Sequence, residues 1–152
     1  RALQDLDVRW LEEPLPVQDD AGLAELSRRL TVPVQGGENW WGPASMQRAL
    51  AAGAVDLCMP DAMKIGGVTG WQRAAAIAAA HRVPMSSHIF IEASVHLMNV
   101  TPTAHLLEHL DVAAPLLDTP LMVRDGLALV PERPGMGIVW NEAALIQHAA
   151  DV

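Results

Sequence analysis

The chain has 152 residues, 51% of them hydrophobic, and a formal net charge of −8 from 10 Lys+Arg against 18 Asp+Glu. That length and apolar content suit one domain with a sizeable core. No basic patch stands out, which argues against nucleic-acid and anionic-membrane partners, and no apolar stretch approaches the ~20 residues of a membrane span.

Arg1-Ala2-Leu3-Gln4-Asp5-Leu6 reads as the last turns of a helix with no cap before it, as though an N-terminal half were missing. Val8 to Leu11 is the first strand, leading to Glu12-Glu13 and stopped by Pro14. Asp20 caps a helix that places Leu23, Leu26 and Leu30 on one face. Val32 to Gln35 is the second strand, ending at Gly36-Gly37-Glu38. Pro43 suits the first turn of a second helix, with Met46, Ala49 and Leu50 inward and Gly53 at its end. Ala54 to Met59 is the third strand, closed by Pro60-Asp61. It contains the lone Cys58, for which a buried structural thiol and a reducing cytoplasm are expected.

Thr69 caps an alanine-rich helix from Gly70 to His81, whose small residues allow close packing on a sheet. Val83 to Ser87 brings His88 to a strand end, a helix from about Glu92 to Val100 follows, and Ala104 to Glu108 is a fifth strand. After Asp118 the pattern changes. Leu121 to Val123 and Leu127 to Val130 flank Asp125-Gly126, a hairpin signal, and a short helix lies near Asn141 to Ala149. Residues 1–118 are expected to form part of a barrel, and 119–152 a tail that packs toward a separate cap.

Glu12, Glu38, Asp61, His88 and Glu108 close the successive apolar runs at intervals of 26, 23, 27 and 20 residues. One strand, turn, helix and return loop take about that length. The spacing therefore predicts a parallel α/β repeat with one polar residue at each C-terminal strand end, where (β/α) barrels collect their chemistry. About five units are present, whereas a complete eightfold barrel takes roughly 250 residues. Either a barrel is cut short or a smaller open sheet is complete in itself.

Glu12 and Glu38 on adjacent strands suit a hard divalent cation, most naturally Mg²⁺. The plain alternative is that Glu12 or Glu13 caps a helix or pairs with arginine. Asp61 beside His88 would fix the imidazole tautomer and make a general acid or base near neutral pH. Glu108, with Glu92 a weaker competitor, could be kept protonated by an apolar site and donate to a developing oxyanion. Lys64 could balance the clustered acids; its Lys64-Ile65-Gly66-Gly67 loop matches neither a P-loop nor a dinucleotide fingerprint. Trp40, Trp41 and Trp71 are candidates for pocket lining or packing. His81, His96, His105, His109 and His148 read as structural or surface residues.

Trp10-Leu11-Glu12-Glu13-Pro14, Gly37-Glu38-Asn39-Trp40 and the run from Met59-Pro60-Asp61 through Lys64-Ile65-Gly66-Gly67 to Trp71 resemble the enolase superfamily, mandelate racemase group. Met85-Ser86-Ser87-His88 and Thr101-Pro102-Thr103-Ala104-His105, followed by Glu108, extend the resemblance across nearly the whole chain. Asp61 sets it apart from the muconate-lactonizing group, which usually carries lysine there. The resemblance implies a modified (β/α)7β barrel with a separate capping domain. It implies Mg²⁺ on three carboxylates at successive strand ends, with Glu12 and Glu38 matching the second and third. It further implies abstraction of the proton α to a carboxylate, giving a metal-stabilised enediolate. His88, oriented by Asp61, matches one base, and Glu108 matches the acid that hydrogen-bonds the substrate carboxylate. The first ligand and a lysine base would precede Arg1.

Two activities follow from the resemblance: racemisation of a 2-hydroxy acid first, and acid-sugar dehydration close behind. The partner is then a small hydroxy acid or sugar acid, in a homo-oligomer. A reading of another class makes this polypeptide an inactive half-barrel, or a binding module, that needs an N-terminal remainder.

Overall fold

The computed structural model describes residues 3–149. Three parallel strands lie side by side in chain order: β1 (Leu11–Glu12), β2 (Val34–Gly36) and β3 (Leu57–Cys58). Their registers pair Leu11 with Val34, Glu12 with Gln35, Gln35 with Leu57 and Gly36 with Cys58. Two extended segments continue the parallel order through single bridges, Cys58 to Met85 and Met85 to Ala104, with Asp61 bridging His88 beyond them. Four helices alternate with these runs: α1 (Asp20–Arg29), α2 (Gly42–Ala52), α3 (Gly67–His81) and α4 (Ile91–Asn99).

The five expected strand runs and the four helices between them are thus present, but the ladders are shorter than the apolar runs. Proline bounds them at Pro14, Pro33, Pro60 and Pro84. A proline nitrogen donates nothing to a ladder, although its carbonyl still accepts. Leu11 N–H bonds the carbonyl of Pro33 at 2.8 Å, and Cys58 N–H that of Pro84 at 3.0 Å. The expected fifth strand, Ala104 to Glu108, is an extended segment held by its single bridge at Ala104 and by bonds from His105 and Ser87 N–H to the carbonyls of Met85 and Leu106.

Two helix starts differ from expectation. Asp19, not Asp20, caps α1 and accepts Gly22 N–H at 2.9 Å. Asp20 is the first helical residue, and its carboxylate pairs instead with Arg48 of α2 at 2.6 Å. Helix α3 begins at Gly67, so Thr69 lies inside it and caps nothing. The left-handed backbone of Gly66 and Gly67, φ 107° and 65°, turns the chain into the helix early.

The core forms where the helices lie on the sheet. Met46, Ala49 and Leu50 of α2 meet Trp71, Ala74, Ala75 and Ala78 of α3 above Val34, Cys58 and Met85. The indole of Trp71, fully buried, donates to Thr101 Oγ1 at 2.9 Å, which meets the need of its one polar atom. Gly70 is required by contact: a Cβ there would fall 2.0 Å from the carbonyl oxygen of Ile65. Cys58 is buried as expected, and desolvation pushes its thiol up to about 12.

The tail contains the antiparallel pair β4 (Val123–Arg124) and β5 (Leu127–Ala128), joined by Asp125 and Gly126 at φ 51° and 77°. Both residues have the positive φ that a tight two-residue hairpin demands. Asn141 caps α5 (Glu142–His148) by accepting Ala144 N–H at 3.0 Å. The tail folds back along the chain. Leu117 bridges Trp140, and His96 of α4 meets the carbonyl of Met136 at 3.2 Å. Among the described residues, no helix is long and apolar enough to cross a membrane.

Two outcomes follow. Gly70→Ala should destabilise the fold by about 1–3 kcal/mol, read as a lowered Tm, because the methyl meets backbone and not a flexible side chain. Cys58 should resist thiol reagents at pH 8 in the folded protein and react once urea unfolds it. Its folded value lies above the ordinary 9.0, so its contribution is fully present below pH 9 and is lost as pH climbs from 9 toward 12.

Candidate active site

The strand ends place the polar residues at one edge of the sheet. Glu12 closes β1 in an exposed position. Its Oε2 accepts two hydrogen bonds, from Trp10 Nε1 at 3.1 Å and Gln35 Nε2 at 3.0 Å. Glu13 behaves differently although it is the next residue. Its φ of 37° turns the chain, and its carboxylate accepts Gly37 N–H at 3.1 Å and Asn39 Nδ2 at 2.9 Å. Glu13 therefore braces the loop after β1 against the loop after β2. Among the described residues, neither glutamate caps a helix or pairs with an arginine.

Glu38 follows Gly36, the last residue of β2, and Gly37. Gly37 has φ 135°, and a Cβ there would lie 2.8 Å from the ring of Trp40, which packs over it. Glu38 Oε1 accepts from Asn39 Nδ2 at 3.1 Å, and its Oε2 lies 3.4 Å from His88 Nε2. One amide thus serves both Glu13 and Glu38. Its oxygen accepts from Lys64 Nζ at 2.9 Å. Lys64 was expected to balance the acids, and its observed partner is not an acid. Its ammonium bonds an amide oxygen, and Asn39 stands between it and the carboxylates.

Asp61 is 3% exposed, so its charge has to be met by nearby donors. Oδ1 accepts the N–H groups of Met63 and Lys64 at 2.8 and 2.9 Å. Oδ2 lies 2.8 Å from His88 Nδ1. A carboxylate that only accepts assigns the proton to Nδ1, which leaves Nε2 as the basic atom of the neutral ring. The chain after His88 is strained: Ile89 and Phe90 have φ 34° and 46°, a region that bulky residues rarely adopt. Ser94 Oγ donates to the carbonyl of Ile89, and Ile89 N–H donates to Glu108 Oε2, both at 2.8 Å.

Glu108 is also held by its own N–H, which donates to Ser87 Oγ at 3.1 Å. It is exposed, so the expected apolar surroundings do not arise among the described residues. Glu92, its weaker competitor, sits in the first turn of α4 and borders a cavity of about 360 Å³ beneath the tail. None of the strand-end acids lines that cavity. Of the tryptophans, Trp40 and Trp71 are core residues and Trp41 is 75% exposed. Trp10, Gln35 and Asn39 take part in the site unforeseen. A polar Gln35 inside an otherwise apolar strand was the available signal.

The donor set fits a hard cation in kind: Glu12 accepts its hydrogen bonds on Oε2 alone, and Glu38 accepts one on Oε1 while its Oε2 faces His88 Nε2. Among the described residues, no group of three or more His, Cys, Asp or Glu side chains is disposed to hold a metal ion. Two carboxylates would therefore form part of such a site.

The sequence profile of the family described as enolase C-terminal domain-like matches residues 1–144. A solved enolase from Bradyrhizobium complexed with magnesium and mandelic acid is 49% identical, with a TM-score of 0.91, over 96% of this chain and 40% of that one. The L-talarate/galactarate dehydratase of Salmonella typhimurium is 30% identical over 95% of the chain and 36% of its own length. The 3,6-anhydro-alpha-L-galactonate cycloisomerase of Streptomyces coelicolor is 34% identical over 93% of the chain and 39% of its own length. The chain therefore spans under half the length of these relatives. It belongs to the enolase C-terminal domain-like family, and its described residues form part of that family's (β/α)7β barrel.

Asp61→Ala should cost about 1–3 kcal/mol, because the buried N–H groups at 63 and 64 lose their acceptor. Glu108→Ala, at an exposed position, should cost less than about 1 kcal/mol. Urea denaturation of the two variants would show the difference.

Proposed function

We propose that this member of the enolase C-terminal domain-like family carries one face of an active site that removes the proton α to the carboxylate of a 2-hydroxy acid. The observation that carries the proposal is the dyad: His88 Nδ1 is held by buried Asp61 at 2.8 Å while Nε2 faces Glu38. In that arrangement Nε2 is the atom that takes the proton. The Asp61 carboxylate orients the ring and offsets the imidazolium charge that forms. Glu108, at the foot of the turn after His88, would in its protonated form donate a hydrogen bond to the substrate carboxylate.

Glu12 and Glu38 would hold Mg²⁺, in keeping with the magnesium of the Bradyrhizobium relative. Bound there, magnesium supplies Lewis-acid stabilisation of the charge that develops on the substrate. The chain's own residues hold the ligand carboxylates in place. Asn39 fixes Glu38 through one oxygen, Glu13 fixes Asn39, and Lys64 holds the amide from its other side.

Racemisation is the first reading, supported by the mandelic acid in the relative that is 49% identical over the matched stretch. Dehydration of an acid sugar is the second, supported by the Salmonella typhimurium dehydratase. In that case the same proton removal is followed by loss of a β-hydroxyl, to which His88 would deliver a proton.

Incubating the gene-encoded protein with Mg²⁺ and 2-hydroxy acids or sugar acids in D₂O tests both. Exchange at the α-carbon with inversion and no loss of water is expected for a racemase. A 2-keto-3-deoxy product would replace the first reading by the second. His88→Asn should lower exchange on one face at least about 10²-fold. Full activity in that variant would sink the dyad assignment.

A further inference from the structure

Gln35 is polar where its neighbours are apolar. It lies in the centre of β2, 3% exposed, in a parallel strand whose register partners are Glu12 and Leu57. Strands of this kind are ordinarily filled by valine, isoleucine and leucine. Its Nε2 donates to Glu12 Oε2 at 3.0 Å and lies 3.1 Å from Met59 Sδ, a weak acceptor. Its Oε1 is buried and, among the described residues, has no partner. A buried acceptor without a partner is destabilising. An aliphatic residue of the same size would avoid that loss, so packing does not account for a glutamine here.

What the glutamine does accomplish is visible at Glu12. Both hydrogen bonds to that carboxylate, from Gln35 and from Trp10 Nε1, fall on the same oxygen. One donor comes from the neighbouring strand and the other from two residues earlier on the same chain. With both on Oε2, the carboxylate is held at a fixed rotation, and among the described residues Oε1 accepts no hydrogen bond. Met59 limits the reverse rotation of the amide: flipping it would set Gln35 Oε1 against a carboxylate oxygen on one side and sulfur on the other.

We infer that Gln35, with Trp10, is a positioning residue that presents Glu12 to a divalent cation through Oε1 alone. The inference rests on the metal-ligand role proposed for Glu12. Partners of this kind, which hydrogen-bond ligand atoms without touching the metal, commonly contribute 10–100-fold to affinity.

The test is metal binding by the gene-encoded protein, with Mg²⁺ followed by calorimetry and Mn²⁺ by electron paramagnetic resonance, alongside the Tm of each variant. Glu12→Gln sets the reference and should weaken binding most. Gln35→Met should weaken Mg²⁺ binding about tenfold and alter the Mn²⁺ spectrum, with Tm unchanged or raised because the orphaned acceptor is gone. Trp10→Phe keeps the ring, removes the N–H, and should weaken binding in the same direction. It also stands in for Gln35→Met should that variant fail to fold. If Glu12→Gln weakens binding while Gln35→Met and Trp10→Phe stay within twofold of the parent, the positioning role is overturned and the ligand role stands. If Glu12→Gln itself binds as the parent does, the ligand role fails and the positioning role with it.

Discussion

A buried carboxylate has to be surrounded by donors, and Asp61 is where this fold meets that demand. One oxygen gathers the N–H groups that start the loop toward α3, and the other takes the imidazole of His88 from the neighbouring segment. Asp61 and His88 are also bridge partners in the backbone, so their side chains leave the sheet on the same face. The loop geometry, the pairing of the two segments and the orientation of the ring are therefore one arrangement. None of the three can shift without leaving a charge buried and unmet.

The same edge carries Glu12, Glu13 and Glu38, and the fold does not hold them all alike. Glu13 is consumed as a brace between two loops. Glu12 and Glu38 are each held through one oxygen by an amide, from Gln35 and Asn39 respectively. Lys64 contributes its charge through Asn39. Amides are suited to this because they carry a donor and an acceptor at fixed separation without adding a charge of their own.

Much of this was legible in the sequence, for physical reasons. A repeat of strand, helix and return loop has nearly constant length, so Glu12, Glu38, Asp61 and His88 announced themselves by spacing. The hairpin at Asp125-Gly126 and the glycine end of α2 were legible because positive φ restricts the residue choice. What could not be read was orientation. Glu12 and Glu13 are adjacent and chemically alike, and only the φ of 37° at Glu13 separates their roles. Asp19 and Asp20 are the same case at a helix start. Lys64 was foreseen near the acids, but its contact with Asn39 depends on loops 25 residues apart meeting. Gln35 and Trp10 are neutral donors beside a charged strand end, and such residues carry no spacing of their own.

The two left-handed residues after His88 have a consequence for how such a protein could adapt to heat. Ile89 and Phe90 hold conformations that cost of order 1–3 kcal/mol each, and the turn they make is what aims the Ile89 N–H at Glu108. Stability is therefore in reserve at this turn, and a glycine there could release it. The chain would then become more robust and less well aligned in the same step. Selection for thermal endurance and selection for a fixed Glu108 would pull on these two positions in opposite directions.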